Sequence, residues 1–172
     1  LKAIAARGTM DIKIAHPREA LDFDKRFIEQ ITSAKVNQTQ GTFGTPFIWG
    51  ATNSWGGVRC RNFQYNQQLY CDEIEPESID ENATKTIGPY HMAGCFGCQV
   101  HCRAKYKIPS GPYAGRYDEG PEYTSQGAFC GEPDVPSLEA LLTANHLVDQ
   151  YGVDNLEIGS LISWAMELYE LG

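Results

Sequence analysis

Apolar residues recur at helical spacing in three long stretches of this chain. Pro17 opens the first, and Leu21, Phe27, Ile28 and Ile31 share one side of a helix predicted to run to about Ala34. Proline suits the first turn of a helix, where its missing N–H is not needed. Leu138, Leu141, Leu142, Leu147 and Val148 predict a helix over Ser137 to Tyr151. Ile158, Leu161, Ile162, Trp164, Ala165 and Leu168 predict another after Asp154, with a wide apolar surface that needs burial. A capping box, Ser78-Ile-Asp-Glu81, predicts a shorter helix from about Ile79 to Ile87. Asp154-Asn-Leu-Glu157 is a similar start with aspartate in the capping place.

Elsewhere the pattern changes. Ile12 and Ile14 alternate with polar residues, so Lys2 to Ala6 and Ile12 to Ala15 read as short strands joined by Arg7-Gly8-Thr9. Gly41 to Asn66 mixes Gly, Thr and Asn with large aromatics and reads as an irregular segment wrapped against a ligand or another domain. Ile108 to Pro121 reads as a Pro/Gly/Tyr-rich loop. The fold class is mainly α: an irregular helical domain over residues 17–172, preceded by a short β segment, residues 1–16, that belongs to an upstream sheet. The missing initial Met and the ending at Leu171-Gly172 suggest a piece of a longer polypeptide.

Charge narrows the function. Fourteen Lys and Arg against 22 Asp and Glu give a net charge of −8, the wrong sign for non-specific nucleic-acid binding. No apolar run approaches the roughly 20 residues needed to span a bilayer. The balance is ordinary for a cytoplasmic enzyme.

The candidate chemistry lies in Cys95-Phe-Gly-Cys98-Gln-Val-His-Cys102. Disulfides between such near neighbours have poor geometry, so crowded thiols point to a metal site in a reducing compartment. Cysteine sulfur is the usual ligand of iron–sulfur clusters. Zinc is the rival, since His101 could add a nitrogen, although zinc sites usually pair two knuckles and no second knuckle is present. An incidental group of thiols is the third reading. Clusters that cleave adenosylmethionine use the reverse order, CxxxCxxC. Cys60, Cys71 and Cys130 read as small hydrophobes or site-lining thiols. In Asp149-Gln-Tyr-Gly152-Val-Asp154, Gly152 ends one helix and Asp154 begins the next, which accounts for the motif without a ligand. Glu122, in Gly120-Pro-Glu122-Tyr123, is a solvated loop carboxylate or, beside a metal cofactor, a proton-transfer group.

Taken in order, these motifs resemble those of the tungsten-containing aldehyde ferredoxin oxidoreductase family. The resemblance runs through Leu1 to Thr9, Arg61-Asn62-Phe63, the cysteine triplet, Gly120-Pro-Glu122-Tyr123, Asp149-x-x-Gly152-Val153-Asp154 and the closing Glu167-Leu-Tyr-Glu-Leu-Gly172. It implies tungsten, or molybdenum, held by the dithiolenes of two pyranopterins, with a nearby [4Fe–4S] cluster passing electrons to ferredoxin or a partner subunit. It implies Cys95, Cys98 and Cys102 as cluster ligands, with the fourth cysteine in the following domain. It implies Asp149, Gly152 and Asp154 as pterin contacts. It further implies an aldehyde substrate, a homo- or hetero-oligomer and an isolated domain without activity.

One departure bears on substrate. Where the family's aldehyde oxidisers commonly carry a second glutamate after Gly-Pro-Glu-Tyr, this chain has Thr124, which cannot serve as a carboxylate base. Cys130 is therefore a candidate to face the metal. The departure keeps open a second expectation within the same family: the tungsten subunit of class II benzoyl-coenzyme A reductases, acting on an aryl-coenzyme A thioester. A non-catalytic iron–sulfur or zinc module is the reading from another class.

Overall fold

The computed structural model describes residues 3–69, 74–75, 92–108 and 110–172. The fold is mainly α. Helix α1 spans Pro17–Ser33 with Pro17 in its first turn, as the sequence predicts. Phe23 and Phe27, one turn apart, stack with centroids 5.7 Å apart, yet Leu21, Phe23 and Phe27 all stay exposed. Ala34 then takes an extended conformation, and the chain turns directly into α2, Lys35–Phe43.

Gly41 to Asn66 is more regular than its composition suggests. After α2, Gly44 at φ +72° leads into a 3-10 turn, Thr45–Ile48, and then α3, Trp49–Ser54. Trp49 is fully buried in the main core with Val58, Cys60, Ile74, Phe129, Leu141 and Val148. Core packing of this kind overrides weak local propensity. Arg61, Asn62 and Phe63 follow at φ 48°, 50° and 66°. Consecutive left-handed non-glycine residues are costly. Here the turn is held by Asn62 N–H to the Glu132 carbonyl (3.0 Å) and by Gln64 Nε2 to Glu167 (2.9 Å).

A small antiparallel sheet comes next, with strands β1 (Met92–Ala93), β2 (Arg103–Lys107) and β3 (Tyr117–Glu119) in that order. One expectation is corrected: residues 117–119, read as part of a loop, pair with β2. Along β2, Ala104 and Tyr106 turn inward while Arg103, Lys105 and Lys107 lie nearer solvent, the alternation of a half-buried strand. Residues 3–15, expected to join a sheet whose other strands lie upstream, have no strand partner among the described residues, and Ile4, Ile12 and Ile14 are exposed. A strand needs backbone pairing as well as alternation. The capping box at Ser78 and its helix lie outside the described residues.

Helix α4, Tyr123–Gln126, continues without a break into a π turn, Gly127–Gly131, closed by Glu132 N–H to the Gly127 carbonyl at 2.8 Å. The last two helices form as predicted. In α5, Leu138–Tyr151, the Ser137 side chain caps Ala140 N–H, and Gly152 ends it in the left-handed conformation (φ 65°, ψ 43°). In α6, Asn155–Leu171, Asp154 caps Glu157 N–H at 3.0 Å. Gly159 lets α6 press on the π turn, because a Cβ there would lie 2.5 Å from the Ala128 carbonyl oxygen. A second core of Tyr106, Ile108 and Leu142 joins sheet to α5. Among the described residues no helix is long and apolar enough to cross a membrane.

Candidate metal centre

The cysteine triplet lies in the connection of the β1–β2 hairpin, residues 94–102. Pairing of Ala93 with Arg103 closes the base of that loop. Inside it, Cys98 N–H donates to the Cys95 carbonyl at 3.0 Å, with Gly97 at φ +73° completing the turn. Only a residue without a Cβ takes that conformation freely. Arg103 Nη2 donates to the Gly94 carbonyl at 3.2 Å and ties the two ends together. None of the described cysteines forms a disulfide.

The loop rests on the C-terminal end of α2. A Cβ at Gly41 would lie 2.7 Å from the Val100 carbonyl oxygen, and one at Gly44 would lie 2.9 Å from that of Cys102. These two glycines let the helix end meet the cysteine loop backbone to backbone. The β2–β3 register sets Lys105 opposite Glu119 and Tyr106 opposite Asp118. Beyond the paired residues, Gly120 N–H still donates to the Ala104 carbonyl at 2.7 Å. The Cys102 thiol is raised above its ordinary value, first by burial and then by the Glu122 charge, with smaller contributions from Cys98 and Cys95.

Among the described residues no three His, Cys, Asp or Glu side chains converge on a point where one ion could sit. Thiolate sulfur is the donor type that iron–sulfur clusters use, and zinc accepts it as well.

Glu122 is half-buried just before α4. Its Oε2 accepts from the Thr45 hydroxyl, which in turn accepts from Tyr123 N–H at 2.8 Å. Nothing in the sequence singled out Thr45, since its hydroxyl acts across 77 positions. Thr124 is exposed. Cys130 lies in the π turn at 0% exposure, packed in the main core. Its Sγ faces the Ser137 carbonyl oxygen at 3.9 Å, and burial pushes its thiol up to about 12. The structure therefore places Cys130 in the core, away from the hairpin loop.

Asp149 and Asp154 sit on either side of Gly152, at the α5–α6 junction. The Asp149 carboxyl is raised by partial desolvation and then by the charge of Asp118, with which it shares a hydrogen bond. Asp149 is exposed on its other side. Asp118 Oδ2 also meets His146 Nδ1 at 2.8 Å, a contact the sequence did not announce. The folded protein holds the Asp149 proton longer than the unfolded chain does. Its contribution to stability is thus complete below the unfolded value of about 3.9 and declines as pH rises through the folded one. Asp149→Asn keeps the hydrogen bond without the charge. It is expected to gain thermal midpoint relative to the wild type as pH rises through that window.

The family described as "Aldehyde ferredoxin oxidoreductase, domains 2 & 3" matches residues 22–172. All of the chain aligns with the tungsten-containing aldehyde ferredoxin oxidoreductases of Pyrococcus horikoshii, at 30% identity, and Pyrococcus abyssi, at 31%. It also aligns throughout with a Pyrococcus furiosus protein named as an aliphatic sulfonate oxidoreductase, WOR-like subunit, at 25%. The chain spans 27% of the length of each of these relatives.

Proposed function

The chain belongs to the aldehyde ferredoxin oxidoreductase family, and on that premise we propose that it seats a [4Fe–4S] cluster beside a tungsten–pterin centre. The observation that carries the reading is the cysteine trio in one hairpin loop, packed against the end of α2. The tungsten–pterin group, or its molybdenum counterpart, supplies two-electron exchange with the substrate when bound.

The chain's own residues take distinct parts. The Cys95, Cys98 and Cys102 thiolates hold three corners of the cluster, and a cysteine elsewhere in the polypeptide holds the fourth. Asp149, Gly152 and Asp154 would receive a pterin at the α5–α6 junction. Glu122 accepts a proton and passes it on at Oε1, the carboxylate oxygen that Thr45 does not engage. Cys130 serves as core packing, since a buried, protonated thiol is a poor ligand. Electrons leave for ferredoxin or a partner subunit in the cytoplasm, and the oxidised substrate is an aldehyde.

Thr124 favours a second reading, reduction of an aryl-coenzyme A thioester, because the carboxylate of the usual base is replaced by a hydroxyl. The test is anaerobic turnover by the intact, tungsten-grown polypeptide. Reduction of a viologen dye with aldehydes supports the first reading, and consumption of aryl-coenzyme A thioesters with reduced dye supports the second. Failure with both classes in a protein carrying its full metal complement overturns the assignment of substrate.

A further inference from the structure

We propose that Thr45 is a positioning residue that fixes the Glu122 carboxylate beside the Cys102 end of the cluster loop and so holds the cluster's reduction potential low. This rests on the reading of Cys95, Cys98 and Cys102 as cluster ligands. Three features of the structure meet at Thr45.

Its hydroxyl is engaged in both directions. It donates to Glu122 Oε2 and accepts from Tyr123 N–H at 2.8 Å, which fixes the rotamer at one end and the carboxylate at the other. The backbone just before it is pinned to the cluster loop, because Gly44 packs so closely on Cys102 that a Cβ would come within 2.9 Å of the carbonyl oxygen. Independently of Thr45, Gly120 N–H donates to the Ala104 carbonyl at 2.7 Å and so ties the chain just before Glu122 to β2 close to Cys102. The carboxylate is thus clamped in place and cannot swing freely on a loop.

The nearby cations do not offset its charge. Arg103 Nη1 pairs with Glu119 Oε2 at 3.0 Å, and Lys105 Nζ reaches Glu119 Oε1 at 4.0 Å. Among the described residues Glu122 makes no salt bridge. A fixed, unneutralised negative charge near a cluster opposes the arrival of an electron, and charge and hydrogen bonding around a cluster are among the main controls of its potential. A low potential suits a centre that must hand electrons on.

The experiment is a reductive titration of the intact holoprotein, followed by the electron paramagnetic resonance signal of the reduced cluster. Glu122→Gln removes the charge and keeps the shape. It is expected to raise the potential so that the reduced-to-oxidised ratio at a fixed poise increases about tenfold, equivalent to about 59 mV for one electron. Thr45→Val releases the carboxylate and is expected to move the potential in the same direction by less. Thr45→Ser keeps the hydroxyl and should restore the wild-type value. A merely structural role for Thr45 would lower iron content without moving the potential of the clusters that remain.

An unmoved potential in Glu122→Gln, with iron content intact, overturns the proposal whatever the Thr45 variants do. Equal shifts in Thr45→Val and Thr45→Ser overturn the clamping role. If the wild-type protein holds no iron, the cluster reading itself fails and takes this inference with it. Clusters present with unchanged potentials defeat the inference alone.

Discussion

Replacing Cys98 by serine is expected to strip the intact protein of its iron. Cys98 is the middle thiol of the trio, and its amide closes the turn that carries Cys95. A serine would preserve that turn and most of the volume, so a purely structural role predicts little change. As a ligand it is a different matter. Iron in these clusters is bound by thiolate sulfur, and a serine hydroxyl is neutral near pH 7, whereas the thiolate is within reach. Cluster iron is expected to fall from about four atoms per chain to near zero, with loss of the visible charge-transfer absorption. Cys60→Ala is the matching control, since Cys60 lies in the main core away from the trio and its loss should leave iron content unchanged. Full iron retention in Cys98→Ser would remove that residue from the ligand set.

The second large effect concerns stability. Glu132 follows the π turn with 0% exposure, a position where an ionised side chain is tolerated only with partners. Ser160 Oγ donates to its Oε2 at 2.8 Å, which ties it to α6. Arg59 Nη2 lies 2.9 Å from Oε1. The N–H is not well aimed at that oxygen, which has no directional hydrogen bond of its own, so the attraction there is largely electrostatic. The Arg59 guanidinium also lies over the Phe63 ring at 5.1 Å, which links the pair to the left-handed turn. Arg59→Met keeps the apolar stem and removes the charge, leaving the buried carboxylate without a cation. Breaking such a pair typically costs about 3–5 kcal/mol. The lower end applies here, because the Arg59 head is partly exposed and water already screens it. The expected result is a fall in the urea midpoint with an unchanged slope. Arg59→Met combined with Glu132→Leu is expected to recover most of that loss, because an apolar replacement of both partners removes the desolvation penalty.

The parts of the fold that were legible in the sequence are those fixed by local chemistry. Pro17 set the start of α1. Ser137, Gly152 and Asp154 set the ends of α5 and α6 through capping groups whose preferences follow from unsatisfied backbone donors and acceptors. The parts that were not legible depend on partners far along the chain. Residues 35–54 carry Gly, Thr and Asn that argue against helix, and they become helical where Trp49 is swallowed by a core drawn largely from residues 128–148. The strand 103–107 did carry a period of two, Ala104 and Tyr106 against Arg103, Lys105 and Lys107. That run is too short to outweigh the charges without knowledge of β1 and β3. Ile12 and Ile14 show the converse, alternation with no partner strand among the described residues.

The candidate site divides in the same way. Spacing alone brought Cys95, Cys98 and Cys102 together, because one loop supplies them all. The contact of Thr45 with Glu122 and that of Gly44 with Cys102 join residues far apart in the chain, and neither leaves a local mark. His146 and Asp118 likewise pair across 28 positions. Cys130 shows the limit of reading chemistry from residue type, since a thiol in the right stretch of chain turned out to be filling the core.

Elemental analysis of the intact polypeptide, purified without oxygen, addresses the cluster and the heavy metal together. About four iron atoms and four acid-labile sulfides per chain are predicted, accompanied by tungsten or molybdenum. Zinc in stoichiometric amount with neither iron nor sulfide, from cells supplied with all of these metals, would contradict the account.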